Sequence, residues 1–235
     1  MLTNRIMRIG DRMIEMNGKL VTTAPDIGPV QGGHIRLLFA PGTGPRLDDH
    51  HYSGTWTQLC PNPNIWDLWV YDGSTNWSRA LGNAHLDTRT NIVEVIDADA
   101  SGVTSMWGTF SDCQNIRSVG PLYNTESVVS CYEMFARDRS IVQVIPFDTR
   151  NVVQFQNMFY FNESLIVLPT LDTSSATDLS HMYESCWYAQ GGIIRAYNEM
   201  ISHGTNPTHY RTFHNCGLGT DYGKLELMMV PWDWK

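Results

Sequence analysis

The run Asp48-Asp49-His50-His51 has residue types that could do chemistry, because carboxylates and imidazoles together can hold a divalent cation. In an extended loop, however, successive side chains point in alternate directions. Four consecutive residues therefore cannot all converge on one ion. We interpret the run as a solvated loop, and the sequence predicts no metal site and no cofactor.

The five cysteines favour free thiols over a disulfide framework or a zinc site. An odd number cannot pair completely, no C-x-x-C occurs, and Cys60 and Cys131 have no partner at a typical ligand spacing. The other three share one position of a sequence repeat with acidic and amide residues: Cys113, Cys186 and Cys216 beside Asp138 and Asn162. A position that accepts Cys, Asp or Asn indicates a structural residue at a turn rather than a ligand.

The sequence carries none of the fingerprints that mark common catalytic sites. No G-x-S-x-G, P-loop or dinucleotide-binding motif is present. The histidines near the C-terminus are scattered: His181, His203, His209 and His214. We therefore predict no catalytic residue and a protein that is not an enzyme. Paired carboxylates about 5–9.5 Å apart would be invisible in a sequence, so a virion-associated glycan hydrolase stays open as a weaker alternative.

Aromatic side chains are the remaining candidates for a functional surface. Several tryptophans fall outside the repeat's apolar positions and have polar neighbours, a combination suited to protein or glycan binding. The candidate binding residues are Trp187, Tyr188, Trp232, Trp234 and Trp56. The alternative for each is that it packs one end of the fold.

These residues are positioned by a repeat with a period of 24 residues. Residues 128–149, VVSCYEMFARDRSIVQVIPFDT, return at 152–173 as VVQFQNMFYFNESLIVLPTLDT. A fixed period in the low twenties is typical of stacked repeat architectures. The repeated apolar positions predict the core: Phe110, Phe135, Phe159, Tyr183, Ile116, Ile141, Leu165, Val144 and Leu168.

Each repeat has two parts. Val103, Met106, Trp107 and Phe110 lie at i, i+3, i+4 and i+7, which is the apolar stripe of a short helix, and a short β-rich run such as 141–144 follows in each copy. The predicted fold class is an α/β (α+β) repeat solenoid of stacked short helices and short parallel strands. A β-rich cap is expected before it, and a helix-plus-strand cap after it.

The repeat also resembles a known family. Met134-Phe135, Met158-Phe159, the cysteines at 113 and 186 and the Asp-Thr pairs at 148–149 and 172–173 resemble BspA-like leucine-rich repeats of bacterial surface proteins, over residues 91–190. The terminal segments, IRLLFAPG, CPNPNIWDLWVYD and FHNCGLGTDYGKLELMMVPWDW, give a layout similar to small repeat proteins encoded by phages and prophages of gut Bacteroidales. The resemblance implies a leucine-rich-repeat stack in a protein that acts at a surface.

The chain divides into four predicted regions. Residues 1–33 form an arm and a Pro/Gly-rich linker, 34–90 a β-rich capping region, 91–190 the repeats and 191–235 the C-terminal cap. Strands are expected at 34–39, 56–59 and 66–71, a helical turn at 76–81, a helix at 191–204 and a final strand at 225–230. The arm is predicted to attach to a neighbouring subunit through Ile6, Ile9 and Met13; a hairpin turning at Asn17-Gly18 is compatible with that role.

Bulk properties narrow the function. The formal net charge of −8 argues against binding to nucleic acid or to anionic membranes, and no apolar run approaches the roughly 20 residues of a membrane span. The N-terminus lacks a secretory apolar region, which is typical of a virion component assembled in the host cytoplasm. The predicted function is a non-enzymatic phage virion surface protein: a fibre, a capsid decoration or a receptor-binding component.

The expected partners are other virion proteins or copies of the same chain, in a homo-oligomer, and a host-surface protein or glycan. Nucleic-acid binding and membrane insertion are not expected. A bacterial cell-surface adhesin of the same repeat type is the alternative.

Overall fold

The computed structural model describes residues 14–16, 19–21, 33–47, 54–59, 61–70 and 75–235. Near the N-terminus, strands β1 (Ile14–Met16) and β2 (Lys19–Val21) pair antiparallel as a small separate sheet. They flank the Asn17-Gly18 dipeptide at which the sequence predicted a hairpin. The predicted attachment residues Ile6, Ile9 and Met13, the run 48–51 and Cys60 all lie outside the described residues.

The main element is an open, mixed sheet of seven strands. In chain order these are β3 (His34–Phe39), β4 (Gly54–Gln58), β5 (Ile65–Val70), β6 (Ile92–Asp99), β7 (Ser118–Val119), β8 (Leu122–Tyr123) and β9 (Gln143–Val144). The spatial order is β4-β5-β3-β6-β7-β9, with β8 paired beside β6. β4, β5, β3 and β6 pair antiparallel, whereas β7 and β8 pair parallel with β6, and β9 pairs parallel with β7.

One ion pair joins the two antiparallel strands β3 and β5. Arg36 lies opposite Asp67, and its guanidinium donates through Nε and Nη2 to the two carboxylate oxygens at 2.8 and 2.9 Å. Asp67 is buried, and the hydrogen bond to it raises the pKa of Arg36. A bidentate pair of this kind has a narrow preferred geometry, so it favours the observed register.

Three α-helices occur in the described part of the chain. They are α1 (Leu86–Asn91), α2 (Ile193–Ser202) and α3 (Asp221–Met228), and a 3-10 turn at Trp232–Trp234 follows them. The side chain of Thr220 caps α3 by accepting a hydrogen bond from the Gly223 N–H. α2 lies within the segment predicted to be helical, residues 191–204. No helix among the described residues is long and apolar enough to cross a membrane.

Between residues 103 and 216, successive tight turns are joined by a periodic ladder of backbone hydrogen bonds. The N–H groups of Phe110, Phe135 and Phe159 donate to the carbonyls of Met134, Met158 and Met182, at 3.0, 2.9 and 2.9 Å. Isolated parallel bridges connect equivalent positions of successive copies, 24 or 25 residues apart in the centre and 29 or 30 at the two ends: Asn76–Ser105, Ser105–Ser130, Ser130–Gln154, Gln154–Asp178 and Asp178–Thr208. Each copy therefore satisfies its backbone groups on the next copy.

The ladder stacks one ring of each copy on the next. Phe110, Phe135, Phe159, Tyr183 and Phe213 form a continuous column, with successive ring centroids 5.2, 5.4, 5.3 and 5.8 Å apart. The interplanar angles of 4° to 20° make these contacts stacked. All nine residues that the repeat predicted for the core are buried.

The predicted fold class, an α/β solenoid of short helices stacked on short parallel strands, is wrong. The described chain is organised around an open, mixed seven-stranded sheet, and its three α-helices all lie outside residues 92–192. The apolar spacing of residues 103–110 arises from consecutive turns instead. Left-handed residues in these turns, such as Asp112 (φ 64°) and Glu133 (φ 53°), interrupt helical hydrogen bonding.

Two smaller predictions are also corrected. Residues 225–230 are not a strand: most of them belong to α3, and the C-terminal region therefore has two helices and a 3-10 turn. Residues 76–81 are not a helical turn. Asn76 forms a parallel bridge with Ser105, and the N–H groups of Arg79 and Leu81 donate to the copy that begins at residue 103.

Candidate functional site

The structure separates the five aromatic residues that the sequence singled out. Trp187, Tyr188 and Trp232 are 40%, 53% and 86% exposed. Trp56 is half-buried, with its ring edge-on to Phe39 at 5.9 Å.

The prediction that Trp234 is a binding residue is wrong, because only 7% of the residue's surface is exposed. Its ring stacks on His209 at 4.1 Å and its carbonyl accepts the N–H of Phe213. The residue therefore completes the end of the stacked column and has little surface left for a ligand.

Two clusters of aromatic and charged side chains lie along the ladder, and we call them together the aromatic–polar face. Its members are Arg79, Trp107, Tyr132, Glu133, Tyr160, His181, Tyr210 and Arg211.

The backbone explains why these side chains lie at the surface. Trp107, Tyr132 and Tyr210 each stand two residues after a bridging residue, and the first two directly follow a buried core residue. The next residue is left-handed in every copy; at Glu133, His181 and Arg211, φ is 53°, 60° and 58°. The same turn therefore recurs, and each copy presents its outward residues beside those of the next.

At one end of the face, a cation and two aromatic rings lie together. The guanidinium carbon of Arg79 lies 5.2 Å from the ring centroid of Trp107, and Tyr132 meets the same indole edge-on at 5.9 Å. Nη2 of Arg79 also donates to Oε2 of Glu133 at 3.1 Å. The carboxylate holds the guanidinium in place, and the 40% exposed indole offers a ring to a ligand.

At the other end, His181 lies between two tyrosine rings. Tyr160 and Tyr210 contact the imidazole edge-on, with centroids 6.3 and 5.3 Å away. Nδ1 of His181 is hydrogen-bonded to Glu184, and Nη2 of Arg211 lies 2.8 Å from the same carboxylate. Only 6% of the Glu184 side chain is exposed. A buried carboxylate thus fixes both an imidazole and a guanidinium at the surface.

A second surface feature is an apolar groove on the sheet side of the ladder. Its volume is about 460 Å³, and its lining includes Val142, Pro146, Ile166, Val167 and Arg195. The three aliphatic side chains are each 40% to 49% exposed. The groove offers apolar contact area, whereas the aromatic–polar face offers rings with fixed hydrogen-bonding groups.

Sequence reasoning missed the aromatic–polar face for a specific reason. Trp107 was assigned to the buried stripe of a helix, and Tyr132 repeats that position in the next copy. The available signal was the variation at this position: later copies carry Gln156, Ser180 and Tyr210, whereas the core position three residues further on keeps an aromatic ring in every copy. A repeat position that alternates between aromatic and polar residues indicates a surface.

Among the described residues, one group of side chains could hold a metal ion: Asp172, Glu199 and His203. Asp172 begins the turn at residues 172–174, Glu199 belongs to α2 and His203 is the C-cap residue of that helix. None of the three was predicted as a metal ligand from the sequence.

Comparison with curated proteins and with solved structures finds no significant match. A family model does match, over residues 76–195, which is just over half of the 235-residue chain. The matched segment begins at the first bridge of the ladder and includes the stacked column as far as Tyr183. The chain belongs to the family described as Mycoplasma protein of unknown function, DUF285.

Proposed function

We propose that this protein is a non-enzymatic binding protein of a phage virion surface, and that the aromatic–polar face contacts its ligand. The observation that supports this is the cluster of Trp107 with Arg79 and Tyr132, which lies in a row of outward residues along the ladder with the cluster of His181 and Tyr210. Such a row combines large contact areas with side chains already held in position, which lowers the entropic cost of binding.

The chemistry of the face suits a host-surface glycan or protein. Aromatic rings stack on apolar faces of a ligand, while guanidinium and imidazole groups donate hydrogen bonds to its oxygens. Arginine and aromatic residues are also the types enriched where binding energy concentrates. The net charge of −8 argues against nucleic acid as the ligand.

The binding test compares face variants with a matched aromatic variant elsewhere. Trp107→Ala and Tyr210→Ala should weaken binding to intact host cells or their purified capsular polysaccharide by at least about tenfold, as the loss of one aromatic hot spot does. Trp232→Ala removes a more exposed indole outside the face and should leave binding unchanged. Equal binding by all three variants and the parent would contradict the assignment of this face.

The virion part of the proposal needs a separate measurement. Mass spectrometry of purified particles should detect the chain, and antibody labelling should reach it on intact particles.

A reducing-end assay on the same polysaccharide tests the non-enzymatic part of the proposal. Release of new reducing ends by the parent protein would favour a glycan hydrolase instead.

A bacterial cell-surface adhesin is the second candidate, because the description of the matching family refers to Mycoplasma proteins. Both candidates use the same face, but they differ in where the chain is found. Detection on the surface of producing cells, together with absence from particles, would favour the adhesin.

The proposed partners of the N-terminal segment are other virion proteins or further copies of this chain. In the described part, β1 and β2 pair with each other and with no strand of the main sheet. Deletion of residues 1–21 should therefore leave the thermal melt nearly unchanged and abolish self-association, as measured by light scattering. A variant that still associates would refute the attachment role; one that unfolds would assign the segment to the folded body.

A further inference from the structure

Three side chains with metal-binding groups converge where α2 passes the turn at residues 172–174. One ligand atom each from Asp172, Glu199 and His203 lies within 4.8 Å of the other two. Glu199 and His203 are four residues apart, and His203 is the C-cap residue of α2 with helical backbone angles, so the two lie on the same side of the helix end. Asp172 comes from the turn, which is more than 20 residues earlier in the chain.

Neighbouring hydrogen bonds hold two of the three groups in place. The backbone N–H of Thr173 donates to Oε1 of Glu199 at 3.0 Å, and its hydroxyl donates to Oε2 at 2.8 Å. Oδ1 of Asp172 accepts the N–H of Ser174 at 2.9 Å. Both carboxylates are therefore fixed by the same short turn, as the ligands of a metal commonly are.

The imidazole completes the group. Nε2 of His203 lies 2.7 Å from Oε1 of Glu199, and 27% of the His203 side chain is exposed. A cation that entered between these atoms would take the place of the His–Glu hydrogen bond, while Oε2 of Glu199 would keep its bond from Thr173. Exposure of Asp172 leaves room for water to fill the remaining coordination positions.

The equivalent turn one copy earlier shows how such a carboxylate is otherwise neutralised. Asp148 occupies the position of Asp172, and its Oδ2 lies 2.8 Å from Nη2 of Arg150. The residue that corresponds to Arg150 is Ser174, which has no charge. In its place, the copy that contains Asp172 faces a second carboxylate, Glu199, together with an imidazole. Asp172 therefore has no arginine within its own turn and lies beside a second carboxylate and an imidazole.

We propose that Asp172, Glu199 and His203 bind a divalent transition-metal ion and that Zn²⁺ is a suitable probe for the site. An imidazole with two carboxylates suits Zn²⁺ or a neighbouring first-row ion better than Ca²⁺ or Mg²⁺, which take oxygen ligands. The ion would tie α2 to the stacked turns. This proposal is independent of the ligand assigned to the aromatic–polar face.

The test uses the full chain without a polyhistidine tag. Titration calorimetry measures Zn²⁺ binding, and thermal melts with and without Zn²⁺ measure its effect on stability. One ion should bind per chain and raise the melting temperature, and Ca²⁺ should do neither. His203→Ala and Asp172→Asn should each weaken Zn²⁺ binding by at least about tenfold. Asp172→Asn is informative because an amide oxygen can still accept the Ser174 N–H, so the turn is retained.

His214→Ala serves as the control, since it removes a histidine outside the cluster and should leave the Zn²⁺ affinity unchanged. The absence of saturable binding up to about 1 mM would overturn the proposal. Unchanged affinity in His203→Ala, or in Asp172→Asn, would overturn the three-residue site. Circular dichroism of each variant without metal distinguishes the loss of a ligand from the loss of the fold.

Discussion

Replacement of Asp138 by Asn should stabilise the protein, and by an amount that grows with pH. Asp138 is fully buried, and neither of its carboxylate oxygens accepts a hydrogen bond. Burial raises the pKa of Asp138 well above the usual range. The nearby backbone N–H of Cys113 and the charges of Arg137 and Arg89 act in the opposite direction, while the negative charge of Asp112 adds to the increase. The folded protein therefore holds a proton on Asp138 that the unfolded chain releases above about pH 4.

The stacked copies show what an uncharged donor does at this position. Nδ2 of Asn162, one copy later, donates to the carbonyl of Phe135 at 2.6 Å, and the thiol of Cys186 lies 3.4 Å from the carbonyl of Phe159. By the same register, an amide at position 138 should donate to the carbonyl of Phe110. The substitution therefore supplies a hydrogen-bond donor that needs no proton from solvent.

The magnitude follows from the linkage between folding and protonation. An acid with a raised pKa in the folded state stabilises the fold fully below its unfolded pKa and progressively less as pH rises towards its folded pKa. Each pH unit in that window corresponds to about 1.4 kcal/mol for one proton. The difference in unfolding free energy between Asp138→Asn and the parent should thus increase by that amount per unit above about pH 4, and then level off.

Urea denaturation of both proteins in half-unit steps from about pH 4.5 to 7.5 measures this difference. Asp148→Asn is the control: the hydrogen bond from Arg150 holds the pKa of Asp148 below its usual range, so its titration lies below this interval. The difference in unfolding free energy between Asp148→Asn and the parent should not change with pH. Two outcomes would refute the assignment of a buried, protonated carboxyl group. One is a difference in unfolding free energy between Asp138→Asn and the parent that does not change with pH; the other is an Asp138→Asn variant less stable than the parent at every pH.

Four further predictions concern stability and thiol chemistry. Phe159→Ala should cost about 3–5 kcal/mol in denaturant melts, because the ring is fully buried between two stacked aromatic neighbours; a loss below about 1 kcal/mol would contradict the column. Asp67→Ala should cost about 1–3 kcal/mol, since it leaves the partly buried Arg36 without its bidentate partner, and a neutral result would mean that water replaces that partner fully. Burial raises the pKa of the Cys131 thiol, so it should react slowly with iodoacetamide in the folded protein. In the unfolded, unreduced chain all five cysteines should react, and a reproducible intramolecular disulfide would contradict free thiols.

The sequence determined which residues of the repeats are buried in the core. Residues that recur at a fixed period must occupy equivalent places if the copies stack, and a place that is apolar in every copy can only be a core position. Phe110, Phe135, Phe159 and Tyr183 follow this reasoning and form the buried column. The strand at His34–Phe39 and the helix α2 were predictable because each has a clear local pattern and boundary residues.

Only the tertiary structure decided the conformation of the turns. An apolar spacing of i, i+3, i+4 and i+7 arises in a helix, but it also arises in consecutive turns that place two side chains inward for each one outward. The choice depends on where the Phe110 N–H donates, and its acceptor is Met134, 24 residues away, rather than a residue four positions earlier. Local periodicity carries no information about that acceptor.

The same limit applies to both candidate sites. The helical interpretation placed Trp107 inward, and the turns place it outward. His181, Glu184 and Arg211 meet because two copies stack, and Asp172 meets Glu199 because α2 returns along the turn at 172–174. Residues that are separated by tens of positions come together through backbone geometry. The sequence therefore determined the composition of the stack, and the tertiary structure decided which functional groups share a surface.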